Sequence, residues 1–294
     1  MVEVATSVGL RIRAWRQTRG LSQFELASRA GFSVRHVSFI ETGRAQPSRE
    51  AVLALGEVLD LSLRERNRLL ESAGFAHIFR ETALSADQMA HIRGMVQFIL
   101  DRHLPYAAVA LDCYWNLLLG NHAASQFFET LVSPALSARN RNILRATFHP
   151  EGTRRWIVNW PEVERHLLSR AELKFSSADD PVGSALLAEI RSYASAATVA
   201  DSNPAPRPGD LLLPIHIRKG DLDLRLFSAI MTLCRPQDVT LQELRIETFF
   251  PADQESERCW QQNFGECAAP APTTFAGAEH SPHVDPAPIP THRS

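Results

Sequence analysis

Between Ser33 and Arg44 the chain carries a run of side chains suited to contacting a duplex: Ser33, Val34, Arg35, His36, Ser38, Phe39 and Arg44. A guanidinium donates two parallel hydrogen bonds. That matches the paired acceptors of a guanine edge in the major groove and is worth roughly 1 to 3 kcal/mol of discrimination when geometry is right. An isolated surface arginine is ordinarily just solvated. Whether Arg35 reads bases therefore depends on the elements that would hold it.

Those elements are legible upstream and downstream. Val8, Ile12 and Trp15 recur at helical spacing until Gly20, a residue type that commonly ends helices. Ser22 and Glu25 then form a capping box that opens a second helix, whose Leu26, Ala27 and Ala30 face inward. Gly31 tolerates the left-handed backbone of a tight turn, so the break there is a turn between helices. Ser33 caps a third helix, with Phe32 as a staple and Val37 and Ile40 turned to the core. Two short helices joined in this way form a helix-turn-helix. With Val37 and Ile40 inside, Val34, Arg35, Ser38, Phe39 and Thr42 point outward. In such units those leading positions of the second helix reach base edges. Ser48 starts a fourth helix, and Ser62 with Glu65 starts a fifth.

The stretch GLSQFELASRAGFS followed by VSFIETGRAQPS resembles the Cro/repressor class of helix-turn-helix domains over residues 8–73. The resemblance implies a five-helix, lambda-repressor-like bundle. It also implies a phosphate-contacting role for Gln23, base-facing roles for Val34, Arg35 and Phe39, and a partly buried structural ion pair between Arg16 and Glu41. Phe39 departs from the polar or basic residue of many relatives. It suits either contact with a thymine methyl or added core packing.

After residue 75 the pattern changes. Residues 105–128 read as a strand to Leu111, a turn near Asp112, a second strand from Trp115 to Leu119, and a helix from Asn121. Helical stretches follow at 161–175 and around Leu186, Leu187 and Ile190. Three further strands are expected, Leu211–Arg218, Leu222–Leu233 and Leu241–Phe250, the first two joined by a hairpin turn at Lys219–Asp221. The order resembles a PAS architecture, an α+β domain with a five-stranded antiparallel sheet. Read as a whole, with RETAL, YWNLLLGNHAA, NILRATFHPEG and VTLQELRIETFFPAD, the chain resembles MmyB-like transcriptional regulators over residues 8–253. That resemblance implies a DNA-binding head joined to a PAS-like domain that holds a lipophilic molecule such as a fatty acid.

The residues that would line such a site are Trp115, Leu117 and Leu119, alternating on one strand, Phe227 and Met231 with Ala229 on another, and Phe127, Phe148, Trp156 and Trp160 in the helical block. The same residues suit a filled core. Each buried methylene gains about 0.8 kcal/mol, so ten would give roughly 8 kcal/mol before association costs are subtracted. Few polar anchors are then needed. His149, Arg154, Arg155, His216 and Arg218 are candidates for holding a carboxylate.

Of 294 residues, 45% are hydrophobic and 22% charged, which suits a folded chain of two domains. Net charge is −2 overall, yet residues 1–75 hold eleven arginines against eight acids. This mild positive balance permits a nucleic-acid partner. Four cysteines at scattered spacing point to reduced thiols with no metal site. The first thirty residues lack a basic-then-apolar signal pattern and no run of about 18 apolar residues appears, so a cytoplasmic protein without membrane association is expected. Domains are expected at 1–75 and 76–255, with a Pro/Ala-rich disordered tail at 256–294. One reading helix offers few base contacts, so a homodimer on a palindromic operator is expected. Two rivals stay open for the second domain: a protein-interaction module with a solid core, and a catalytic domain. The second rival lacks G-x-S-x-G, P-loop, H-E-x-x-H and Cys/His signatures, and neither cofactor nor catalytic residue is expected.

Overall fold

The computed structural model describes residues 7–133, 141–175, 180–194 and 214–265. Five short helices come first: α1 Val8–Thr18, α2 Gln23–Ala30, α3 Val34–Glu41, α4 Arg49–Val58 and α5 Leu63–Ser72. Each starts behind a serine whose hydroxyl accepts a first-turn amide hydrogen, at Ser7, Ser22, Ser33, Ser48 and Ser62. At Ser22 and Ser62 the glutamate three residues on returns the bond, closing a capping box. Such caps are worth about 1 kcal/mol each, which matters in helices too short to be stable alone. The remaining stability comes from one core in which Ile12, Leu26, Val37, Ile40, Leu55 and Leu69 are sealed from water.

Gly9 marks a close approach between helices in this bundle. A Cβ at that position would overlap the Ile40 carbonyl, so α1 and α3 meet backbone to backbone there. Gly31 adopts φ 74°, the left-handed turn between α2 and α3.

The second unit opens with a short 3₁₀ turn, Asp87–Met89, and α6 Ala90–Asp101. There follow β1 Ala108–Leu111, β2 Leu117–Gly120, α7 His122–Leu131, α8 Ile143–Phe148, α9 Trp160–Phe175 and α10 Pro181–Tyr193. The chain closes with β3 Ile215–Lys219, β4 Leu222–Thr232, α11 Val239–Glu243, β5 Arg245–Pro251 and α12 Gln254–Phe264. The strands make one antiparallel sheet in the order β2-β1-β5-β4-β3, the α+β architecture that the PAS resemblance implies. One face of the sheet carries Val109, Leu111, Ile217, Leu224 and Leu226 under the helical block. The other carries Ala108, Ala110 and Ile246 against Val96 and Leu100 of α6.

Several strand limits differ from the sequence expectation. The strand expected from Leu241 begins at Arg245, because Asp238 accepts the Thr240 amide hydrogen and starts the short helix α11. The strand expected from Trp115 begins at Leu117, since Trp115 sits in a left-handed turn at φ 62°. Leu211–Leu213, expected to open β3, lie outside the described residues, as does most of the expected tail. Residues 256–264, expected to open that tail, are instead helical, within α12. Asp253 caps α12, whose Trp260 is fully buried and donates its indole hydrogen to the Pro105 carbonyl at 2.9 Å. Among the described residues, no helix is long and apolar enough to cross a membrane.

Candidate functional site

The first candidate surface is the outer side of α3. Val37 and Ile40 are buried, while Val34, Arg35, Thr42 and Arg44 are exposed and Ser38 and Phe39 half-exposed. The Arg35 guanidinium lies 5.1 Å from the centre of the Phe39 ring, one helical turn away. This cation–π contact leaves the guanidinium edges free while limiting the arginine's rotamers. Ser33 spends its hydroxyl on the His36 amide at 3.1 Å, and the His36 ring packs on Phe32 at 5.4 Å. These two residues shape the start of the helix.

Gln23 stands at the start of α2, half-buried. Its side-chain amide donates to Glu41 Oε2 at 2.7 Å, and Glu41 also accepts two hydrogen bonds from Arg16. Burial works to raise the Glu41 pKa, but the hydrogen bonds from Arg16 and Gln23 together leave it below its ordinary value. The ion pair expected as purely structural therefore also aims Gln23.

The second candidate is a cavity of about 90 Å³ between the sheet and the helical block. Of the residues expected to line it, Trp115 and Phe127 do. Leu117 and Leu119 do not, and they do not share a face. A bulge between Ala110 and Leu111 inserts Leu118, so Leu117 packs toward the helical block while Leu119 packs toward α6. Phe227 and Met231 do share a face, but the wrong one. They pair with Phe250 and Ile246, whereas Leu226 and Phe249 point into the cavity. Phe148 is buried edge-on against Trp160 at 5.3 Å, and Trp156 donates to the Leu131 carbonyl at 3.0 Å under Lys219. All three belong to the surrounding core and lie outside the cavity lining.

The expected carboxylate anchors are engaged elsewhere. Arg154 donates to the Phe148 and Tyr193 carbonyls, Arg155 pairs with Glu151, and His216 and Arg218 share Asp223. His149 accepts the Glu151 amide hydrogen. The charged groups that do line the cavity are Arg170, on α9, and Glu247, on β5. Arg170 falls three residues after the lining Leu167, so helical spacing alone could have placed it there.

Trp115 joins the cavity to the rest of the molecule. The Asp112 carboxylate accepts the amide hydrogens of Tyr114 and Asn116, both at 2.8 Å, and this turn forces Trp115 into its left-handed conformation. For a bulky residue that conformation costs about 1 to 3 kcal/mol. The guanidinium carbons of Arg170 and Arg245 each lie 5.7 Å from the indole. Cys113, two residues back, is buried with its thiol pushed up to about 12, chiefly by desolvation and then by the nearby Glu243. Burial and Arg245 hold the Lys174 pKa below its ordinary value in the same cluster.

The two units meet at α5. Arg64 donates its Nε to Glu243 Oε1 at 2.8 Å and its Nη2 to Oε2 at 2.9 Å, and it also pairs with Glu81. These contacts raise its pKa. The Leu63 amide donates to Gln242 Oε1 at 2.6 Å, so a side chain of the second unit caps a helix of the first. Asn67 binds the backbone of Ile78 and Phe79, and Asp238 accepts the Thr82 amide. No group of three His, Cys, Asp or Glu gathers at metal-ligand geometry among the described residues.

Residues 92–262 match the family model of the MmyB-like transcription regulator ligand binding domain, and residues 7–69 match a helix-turn-helix domain. No curated protein matches the chain.

Proposed function

The chain belongs to the MmyB-like transcription regulators, and on that premise we propose that it reads a specific operator through α3 while its second domain answers to a small lipophilic effector. The observation that carries the reading is the division of α3. One flank is locked into the bundle by Val37 and Ile40, and the other presents Arg35, braced on Phe39, with Val34 and Arg44 beside it. Gln23, held by Glu41, supplies a neutral phosphate contact that sets register without carrying sequence information. A homodimer on a palindrome supplies the contacts that a single α3 lacks.

For the effector, the support is an apolar cavity bordered by one guanidinium, Arg170. An acyl chain would lie among Phe127, Leu144, Ile217 and Leu226 with its carboxylate toward Arg170. A cavity of about 90 Å³ is well below the roughly 300 Å³ of typical ligand sites. Occupancy therefore requires a lining side chain to move. The small volume also favours a second reading, a solid-cored module that answers to a protein partner. Solvent extraction of the purified full chain followed by mass spectrometry separates the two. A stoichiometric apolar molecule supports the sensor, and none, with no uptake of added tetradecanoate, supports the interaction module. Selection of duplexes from a random pool tests the head, because enrichment of no motif removes the operator-reading role.

A further inference from the structure

We propose that Trp115, Arg245, Glu243 and Arg64 form a relay through which an occupant of the apolar cavity unlatches the helical head. This rests on the effector reading above and names its route. Trp115 is the one cavity wall held in a backbone conformation that bulky residues avoid, so it is the wall with most to gain by moving. Its indole neighbours Arg245, at the first position of β5. Glu243 lies two residues earlier, at the end of α11, and holds Arg64 of α5 by two hydrogen bonds. The same β5 contributes Glu247 and Phe249 to the cavity. Cavity wall and latch thus share one strand and one turn, with Cys113 and Tyr114 on the latch side of that turn.

An occupant that displaces the indole lets Trp115 leave its left-handed conformation and takes a partner from Arg245. The start of β5 then shifts, carrying Glu243 and the neighbouring Gln242 that caps Leu63. Because α5 packs in the same core as α1 and α4 through Leu69 and Leu70, releasing its first turn frees the whole head to reorient α3. Linkage then requires the converse: a broken latch must favour the occupied cavity.

The test uses the full chain, tetradecanoate as probe, and hydrogen exchange of peptides covering residues 60–70. Wild-type protein is expected to bind the probe and to exchange faster in this segment when it is bound, by about fivefold. Glu243→Gln and Arg64→Gln are expected to show the fast exchange without probe, little further change with it, and about fivefold tighter probe binding. Trp115→Gly, which suits the left-handed turn, is expected to speed exchange over 60–70 while protection of β1 is retained. Probe binding to wild type with unchanged exchange, and equal probe affinity in both latch variants, overturns the relay and leaves the effector reading standing. No probe binding, together with unchanged exchange in Trp115→Gly, overturns both.

Discussion

The Arg16 guanidinium grips the Glu41 carboxylate through two hydrogen bonds, Nε to Oε1 at 2.6 Å and Nη2 to Oε2 at 2.9 Å, with both side chains nearly sealed from water. A third bond on the carboxylate comes from Gln23 and a third on the guanidinium goes to the Leu21 carbonyl at 2.7 Å. The pair is therefore well satisfied, and breaking one side leaves a buried charge. Glu41→Ala is expected to destabilise the head by about 3 kcal/mol or more in urea titrations. The pH dependence follows from the lowered Glu41 pKa. Its stabilisation is full above the ordinary value of 4.5 and fades as pH falls through the lower folded value. As pH falls below 4.5, the wild-type urea midpoint should fall more steeply than that of Glu41→Gln. Parallel curves would show that the pair is not a source of acid sensitivity.

Arg35→Ala is expected to abolish preference at one guanine position, a loss of roughly 10- to 100-fold in discrimination, while non-specific binding persists. Fluorescence anisotropy against the selected operator and against single-base variants measures this. Phe39→Ala leaves the guanidinium but removes its brace, so a smaller loss of discrimination is expected, of about 0.5 to 1 kcal/mol. An Arg35→Ala protein with an unchanged base preference would take Arg35 out of the reading surface.

The helical head was legible almost residue by residue, because its signals are local. Serine caps, glutamates three residues on, glycines after the last turn and apolar residues at helical spacing each act within one or two turns. The sheet was legible in strand count but less so in phase. A one-residue bulge at Leu118, opposite the Ala110–Leu111 step, reverses the facing of everything beyond it, and no local pattern announced it. Facing on β4 failed for a related reason: Phe227 and Met231 alternate correctly, but only the ladder to β5 shows which face is inside. Arg64–Glu243, Leu63–Gln242 and the Trp260–Pro105 bond join residues more than 150 positions apart. Periodicity carries no information about such contacts.

The end of the chain offers a direct check on packing. Trp260 of α12 is fully buried among Phe127, Tyr106 and Phe264 and spends its indole hydrogen on Pro105. Trp260→Ala is expected to cost about 3 to 5 kcal/mol in the second domain, read as a lower urea midpoint for the α+β unit with the helical head unchanged. A loss within about 0.5 kcal/mol would show that α12 is dispensable, as a tail beginning at 256 would be.

Gly9 sets the distance between α1 and the helix that carries Arg35. A methyl group there meets the Ile40 carbonyl, which is backbone and cannot rotate away. Gly9→Ala must therefore push α1 off α3. Overpacking of this kind costs about 1 to 3 kcal/mol, more than the roughly 1 kcal/mol that alanine gains over glycine in a helix. Thermal unfolding should show a net loss, and the displaced α1 drags Arg16 away from Glu41 and so from Gln23. Operator affinity should fall even where the protein remains folded, with base preference retained because Arg35 and Phe39 keep their mutual contact. A stabilised Gly9→Ala protein would mean that the α1–α3 approach is looser than the backbone geometry requires.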